Sequence, residues 1–343
     1  MQLSDYDYEL PPELIAQEPL EVRSASRMLV VDRTKRGFED RVFADLPKIL
    51  DSGDLVVINN TKVFPARLLG TTETGAGVEI FLVSPIEGGK WEALVRPARR
   101  LKPGKRVHFG DVLSARIEGR FPDGNATVIF DDVADLEERL EQIGKTPLPP
   151  YIKRDMTGAD KDRGRYQTVF AKEKGAIAAP TAGLHFTPAT LETLRQKGID
   201  ICEVTLHVGY GTFEPVRTTD LTQHTVRSEK YEITEDAAQL LNTARSDQRR
   251  IIAVGTTTTR TLENALSVHG KFIAERAAAT LTITPGYTFK AIDGVVTNFH
   301  LPRSSLLILV STFGGHELIM NAYRHAVASR YRFYSYGDCM LII

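Results

Sequence analysis

The stretch Thr146-Pro147-Leu148-Pro149-Pro150 constrains this chain more than any other, because it separates two textures that cannot merge. Proline fixes φ near about −65° and donates no backbone hydrogen bond, so neither a helix nor a central strand runs through it. Before it, from about residue 62, come short strand-like runs: Val78–Val83, Trp91–Val95 and Ala126–Phe130. The turn signals Gly88-Gly89, Pro103-Gly104 and Asp123-Gly124 separate them. Short, evenly spaced strands predict a small antiparallel barrel, and one helix over about Val133–Ile143 follows. From about residue 151 onward strands and helices alternate, an α/β pattern. Thr187 is placed to cap a helix with Pro188 at its first position, and Gly198 to end it. A strand over Ile199–Val208, a helix over Asp236–Arg245, a strand over Arg250–Val254 and a helix from about Arg260 come next. Residues 1–61 read as mixed structure that ends in the buried-strand run Leu55–Ile58.

A length of 343 residues suits two domains, or one large domain with an insertion. The apolar and charged shares, 42% and 25%, supply a core without a metal or disulfide staple. Cys202 and Cys339, the two cysteines, fit a reducing compartment. The N-terminal residues lack a signal-peptide pattern. The longest apolar run, Leu306–Val310, falls far short of the roughly 20 residues a bilayer span takes. These features predict a soluble cytoplasmic protein with no membrane partner. A net charge of −1 excludes a protein that coats nucleic acid generally, so any RNA contact must come from a local basic face.

Six stretches carry chemistry. Ala179-Pro180-Thr181-Ala182-Gly183-Leu184-His185-Phe186-Thr187 puts a histidine just before a helix start, where backbone N–H groups favour anions. His185 there suits acid–base work, or is simply satisfied by its loop. Leu206-His207-Val208-Gly209-Tyr210-Gly211-Thr212-Phe213 ends a strand on His207 and enters a glycine-broken loop. That is a ligand approach in an α/β sheet, or a plain tight turn. Ile252–Arg260 runs strand, Gly255, four threonines, Arg260: an anion or ribose cradle, or threonine capping. It lacks the Gly-Lys-Ser/Thr ending of a phosphate-binding loop, and no GxGxxG follows a strand. Val296–Ser304 crowds Asn298, His300 and Arg303 into an apolar stretch, a site or a satisfied structural network. Tyr331-Arg332-Phe333-Tyr334-Ser335-Tyr336-Gly337-Asp338 alternates aromatics as a base-stacking platform or, more often, as core. Arg96, Arg99, Arg100, Lys102, Lys105 and Arg106 make a basic run without an acid, a phosphate-contacting edge or a solvated face. Zinc-site, HExxH and Gly-x-Ser-x-Gly patterns are absent, so neither covalent serine nor cysteine catalysis has support.

In combination and order these stretches resemble the S-adenosylmethionine:tRNA ribosyltransferase-isomerase family from end to end. Leu3–Pro19, Ser26–Val30, Gly53–Leu68, Pro147–Ile152 and Arg165–Phe170 carry the resemblance with the five motifs after residue 178. Two departures stand out. The family usually has a second histidine within His224-Thr225-Val226-Arg227-Ser228-Glu229, where this chain has Arg227, which stays protonated. Ala278–Thr284 also lacks the family's acidic and aromatic residues.

The resemblance implies an α/β domain built from residues 1–61 and 151–343, interrupted by a β-barrel at 62–150. It implies transfer and isomerisation of the ribosyl group of S-adenosylmethionine onto 7-aminomethyl-7-deazaguanine at the tRNA wobble position, with adenine and methionine leaving. S-adenosylmethionine is then a co-substrate, no prosthetic group or metal is expected, and the chain is expected to be a monomer. The chemistry asks for a base at ribose C5′ and an acid for the departing adenine. His185 and His207 are the leading pair, with Asp338 to hold the ammonium nucleophile or the deazaguanine edge. Thr256, Thr257, Arg260, Asn298, His300 and Tyr336 are candidates for nucleoside contacts. Arg27, Arg67, Arg99, Arg100, Lys102 and Arg227 are candidates for tRNA phosphates. Two other classes compete: an S-adenosylmethionine-dependent RNA methyltransferase, and a non-catalytic RNA-binding module.

Overall fold

The computed structural model describes residues 2–122, 124–131, 135–155, 160–209, 216 and 218–343. In chain order the first strands are β1 (Arg27–Asp32), β2 (Gly37–Val42), β3 (Leu55–Asn59) and β4 (Thr61–Val63). Six follow: β5 (Arg67–Thr72), β6 (Gly77–Ile86), β7 (Lys90–Arg96), β8 (Arg106–Phe109), β9 (Leu113–Arg120) and β10 (Ala126–Phe130). The last are β11 (Glu173–Ala176), β12 (Asp200–Leu206), β13 (Glu229–Ile233), β14 (Ile251–Val254), β15 (Glu275–Ala279), β16 (Gly294–Asn298) and β17 (Cys339–Ile342). Among the described residues seven α-helices accompany them: α1 (Leu46–Ile49), α2 (Leu136–Ile143), α3 (Pro188–Gln196), α4 (Glu235–Ser246), α5 (Thr256–His269), α6 (Ser305–Gly314) and α7 (His316–Ala328).

β5–β10 close into an antiparallel barrel. Strand alternation sets its core: Ala126, Val128 and Phe130 point inward while Thr127 and Ile129 are half-exposed. Val78, Ile80 and Leu82 do the same on β6. The expected barrel strands are all present. The expected turn at Asp123-Gly124 and the start of the expected helix at Val133 involve residues outside those described, and α2 runs Leu136–Ile143.

Nine other strands form one mixed sheet, ordered β15-β13-β12-β3-β14-β16-β17-β1-β2. β12, β3, β14 and β16 run parallel in its centre. Every residue of β3 and β16 is buried, which is why Leu55–Ile58 reads as one apolar run rather than an alternation. Each such aliphatic side chain contributes roughly 1.5–3 kcal/mol by leaving water. Both chain ends contribute, since β17 pairs with β1 in parallel, Met28 opposite Cys339. The parallel pair β4–β11 joins sheet and barrel, and Gln167 clamps it by bonding both the N–H and the carbonyl of Val63. Among the described residues no single helix is long and apolar enough to cross a membrane. Cys202 and Cys339 are buried free thiols.

One local expectation changes. α3 starts and stops as expected, Thr187 Oγ1 accepting from Thr190 and Gly198 at φ +78°. α5, however, begins at Thr256, one turn before Arg260. Its threonines are helical because their hydroxyls donate back along the chain, Thr258 to Val254, Thr259 to Gly255 and Thr261 to Thr257. The aromatic run Tyr331–Asp338 is a loop, and of its two readings the core one holds for Tyr331 and Phe333, which pack around Phe299.

Candidate active site

The carboxyl ends of β14 and β16 open on a cavity of 480 Å³. Ligands of open α/β sheets sit at such strand ends. Pro150-Tyr151, Ala178–Ala182, Val208, Gly255–Thr257, Thr297–Leu306 and Tyr334-Ser335 wall it. Topology explains the convergence. β17 runs antiparallel to β16 with Cys339 opposite Asn298, so the loop before β17 arrives at the same end.

β14 leaves the sheet through Gly255, whose φ of +95° a side-chain-bearing residue rarely adopts. Gly255 also offers no side-chain cap, so the first N–H groups of α5 are free to face an anion or a ribose hydroxyl. The N-terminal residues of α6, Ser305 and Leu306, reach the same cavity. Tyr334 and Arg303 on the wall have φ of +73° and +56°. Backbone strain of this kind costs about 1–3 kcal/mol and concentrates at sites. Three bonds hold Tyr334: its N–H to Phe299, and its carbonyl to Gly337 N–H and Asn298 Nδ2.

Asn298 is buried under this wall. Its Nδ2 donates to Tyr334 O at 3.0 Å and to His185 Nε2 at 3.2 Å, which fixes the amide orientation. Its Oδ1 has no partner among the described residues. A buried acceptor left this way costs about 1–3 kcal/mol, so it is poised for a donor. His300 is buried on the same wall, and burial pulls its imidazole down to about 3. Its Nε2 lies 2.8 Å from Thr297 Oγ1.

Four of the expected nucleoside contacts, Thr256, Thr257, Asn298 and His300, therefore meet in the cavity. The others do not. His185 is buried behind Asn298 with both ring nitrogens engaged. Nδ1–H donates to Ser26 Oγ at 2.9 Å, Ser26 Oγ donates to Arg23 O, and Nε2 accepts from Asn298. Burial, with Arg23 and Arg332 nearby, pulls it down to about 3, so it stays neutral and has no free lone pair for acid–base work. His207 points away from the cavity wall that Val208 forms. Its ring covers Gly175, where an added Cβ would lie 2.8 Å from it, and Nδ1 meets Thr61 Oγ1 at 2.8 Å. The loop that was to complete its site, Tyr210 to Phe213, lies outside the described residues.

Asp338 is raised by burial, and both carboxylate oxygens accept backbone N–H groups, Oδ1 from Arg27 and Oδ2 from Arg332. It braces the loop rather than offering itself to an ammonium. Tyr336 is likewise spent on Asp162, at 2.6 Å, and faces a small cleft beside His185. Arg260 sits inside the protein, paired with Glu229 at 2.5 Å and bonded to the carbonyls of Arg227, Ala279 and Leu281. Because α5 starts early, Arg260 lies a turn below the cavity.

The cations divide too. Arg27 bonds Ser329 O and Asp40 and stacks 3.7 Å over the Tyr331 ring. Arg67 lies 3.5 Å from Glu79 on the barrel wall. Both make contacts within the protein. Arg99, Arg100 and Lys102 are exposed in and after the short turn Ala98–Arg100 on the barrel. Arg227 is exposed at a second cleft with His224. Changing Arg99 and Arg100 together to alanine is expected to raise KM for tRNA and flatten the log-log salt dependence by about 1–2 charges. Titrating kcat/KM against salt checks this, and an unchanged slope would remove that edge from the interface.

Tyr151 belongs to the wall but was not anticipated, and Tyr334 and Ser335, within the aromatic stretch, were not singled out. Tyr151 Oη meets Ser335 Oγ at 2.5 Å, and its ring abuts Tyr334 edge-on at 3.9 Å. The available signal was the rigid Pro149-Pro150, which delivers Tyr151 to a fixed place.

The chain matches the queuosine biosynthesis protein family over residues 3–342. The S-adenosylmethionine:tRNA ribosyltransferase-isomerase of Desulfitobacterium hafniense is 48% identical over 345 residues, 100% of both chains. That of Moorella thermoacetica is 50% identical over 346 residues, again 100% of both. A crystal structure of the S-adenosylmethionine tRNA ribosyltransferase of Thermotoga maritima is 39% identical, with a TM-score of 0.57 over 99% of this chain and 100% of that one. The inserted barrel, the mixed sheet and the strand-end cavity thus belong to a chain that is, over its whole matched length, a member of the queuosine biosynthesis protein family.

Proposed function

We propose that this chain is an S-adenosylmethionine:tRNA ribosyltransferase-isomerase that works in the cavity at the ends of β14 and β16. The observation that carries the reading is the full-length match to relatives so named, at 48% and 50% identity. Its substrates are S-adenosylmethionine and a tRNA bearing 7-aminomethyl-7-deazaguanine in the anticodon, and it acts in the cytoplasm as a monomer without a prosthetic group. The amino group is joined to the transferred, rearranged ribosyl unit as an epoxycyclopentanediol, and adenine and methionine leave.

The cavity's chemistry supports this. Thr256, Thr257 and the uncapped start of α5 suit ribose hydroxyls or an anionic group. Asn298 Oδ1 suits an N–H of a nucleobase. Tyr151 and Tyr334 give aromatic wall against which a base stacks. The exposed Arg99, Arg100, Lys102 and Arg227 suit RNA phosphates. The division into an α/β domain of residues 1–61 and 151–343 with a tRNA-contacting barrel of 62–150 inserted is part of the proposal, and sheet membership supports it.

The test is mass spectrometry of an anticodon stem-loop carrying 7-aminomethyl-7-deazaguanine after incubation with S-adenosylmethionine. The expected product gains the epoxycyclopentanediol, with free adenine and methionine in equal amounts. A methylated stem-loop with S-adenosylhomocysteine would make the chain a methyltransferase. Binding without any product would make it an RNA-binding module.

A further inference from the structure

We propose that His300 is the base that removes the ribose C5′ proton, using Nδ1. The inference rests on the function proposed above, which requires such a base, and it assigns that work to neither His185 nor His207. His300 stands on the cavity wall, and Nδ1 has no partner among the described residues, while Nε2 lies 2.8 Å from Thr297 Oγ1. Thr297 Oγ1 also donates to the Asn298 carbonyl at 3.3 Å, which leaves its lone pair for Nε2–H. That network assigns the Nε2–H tautomer and puts the free lone pair on Nδ1.

The ring is also held still. His300 N–H donates to Tyr323 Oη at 3.0 Å, and its carbonyl accepts from Tyr8 Oη at 2.5 Å. Phe299 before it packs against Tyr323, Tyr331 and Phe333. A base fixed on both sides of its own peptide meets the tight positional demand of proton transfer. His185 meets this wall by neutral contact: it accepts from the Asn298 side-chain amide, while the Asn298 backbone carbonyl accepts from the Thr297 hydroxyl.

In the step, the C5′–H bond breaks and Nδ1–H forms. The electron pair stays on C5′ beside the positively charged sulfur, so a neutral imidazole and a sulfonium become an imidazolium and a neutral ylide. Nε2–H keeps its bond to Thr297 throughout, and the positive charge is shared along Thr297 to the Asn298 carbonyl. As the pair on C5′ bonds to C1′ and closes the carbocycle, the bond from C1′ to adenine breaks; its electron pair goes to adenine, which takes the proton from Nδ1 and returns the imidazole to neutrality, while the sulfur regains its positive charge as a sulfonium. Burial makes the imidazolium of His300 a stronger acid than an exposed one, which makes the first transfer harder and the second easier by the same amount, so the work of the first falls on the close placement of Nδ1 and on the sulfonium beside C5′.

The discriminating variant is His300→Gln. Its side-chain amide reaches the Nε2 position and still bonds Thr297, but it has no lone pair where Nδ1 was. In deuterated water with S-adenosylmethionine and the modified stem-loop, deuterium entry at C5′ and adenine release are both expected to fall by about 10²–10⁴-fold. Binding of S-adenosylmethionine by calorimetry and the urea midpoint at neutral pH are expected to stay at wild-type values. Thr297→Val, which removes the partner of Nε2–H, is expected to lower kcat by less and leave KM unchanged. Wild-type rates in His300→Gln would overturn the assignment, as would lost adenine release with deuterium entry retained. Lost S-adenosylmethionine binding in a folded His300→Gln chain would make His300 a binding residue and overturn it too. A wild-type chain that releases no adenine would instead overturn the function itself and this inference with it, a result told apart by needing no variant.

Discussion

Glu229→Ala is expected to destabilise the protein by about 3–5 kcal/mol, because it strands a positive charge in the interior. Glu229 and Arg260 are 5% and 7% exposed and meet at 2.5 Å. Glu229 Oε1 also accepts from Gly209 N–H, and Arg260 spends three of its other four donors on carbonyls. The pair is thus satisfied as a unit and unsatisfiable by halves. Removing the carboxylate leaves the guanidinium buried and Gly209 N–H without its acceptor. Urea unfolding at pH 7 measures the loss. Glu229→Gln, which keeps an acceptor oxygen, should lose less, and the double change Glu229→Leu with Arg260→Met should recover most of it, since no charge then stays buried. A nucleoside contact for Arg260 predicts the opposite pattern: intact stability and weakened substrate binding. An unchanged urea midpoint in Glu229→Ala would restore that reading.

Acid lability is the second large effect. His185 and His300 are each held at about 3, against about 6.5 for an ordinary histidine. Between those values the unfolded chain binds a proton at each position that the folded chain does not. Stability is therefore full above about pH 6.5 and falls as pH drops toward 3, by about 1.4 kcal/mol per pH unit for each histidine. His207 and His224, also lowered by burial, act in the same direction. Asp338, raised by burial, opposes them only as carboxylates begin to protonate. Unfolding at pH 5 should take up at least two protons, read from the slope of the urea midpoint between pH 7.5 and pH 4.5. His300→Gln should remove close to one of them. A flat midpoint over that range would mean that both imidazoles are solvated.

Much of the barrel was legible because its strands obey a local rule. Alternation on β6 and β10 marks Val78, Ile80, Val128 and Phe130 as inward without knowledge of their partners. The apolar run of β3 identified a strand buried on both faces in the same way. The site was legible only in part. Thr256, Thr257, Asn298 and His300 stand at strand ends, and strand ends are local facts. What His185, Asp338 and Arg260 do depends on partners far away in the chain: Asn298, Arg27 and Glu229. Residue type and loop position made them chemically eligible, while distant hydrogen bonds removed their free valences. Tyr336 was singled out from the aromatic run and Tyr334 was not. In the loop the backbone at Tyr334 is left-handed, and Tyr334, not Tyr336, lines the cavity. The four threonines read as a turn because their helix propensity is poor, and only backbone bonding by their buried hydroxyls makes them helical.

The place of β17 between β16 and β1 bears on how the protein is made. Residues 339–342 lie inside the sheet rather than at its edge, and Ile343 still exchanges backbone bonds with Val31 and Arg33. The barrel's pairings join near neighbours in sequence, so it can close while the ribosome is still at work on the rest. The sheet cannot: β1 and β2 wait, unjoined to β16, until β17 is made about three hundred residues later. The loop that brings Tyr334 and Ser335 to the cavity is anchored by that same late strand. A nascent or prematurely terminated chain therefore carries a barrel whose pairings are complete but a strand-end cavity that still lacks part of its wall, until translation has passed residue 342.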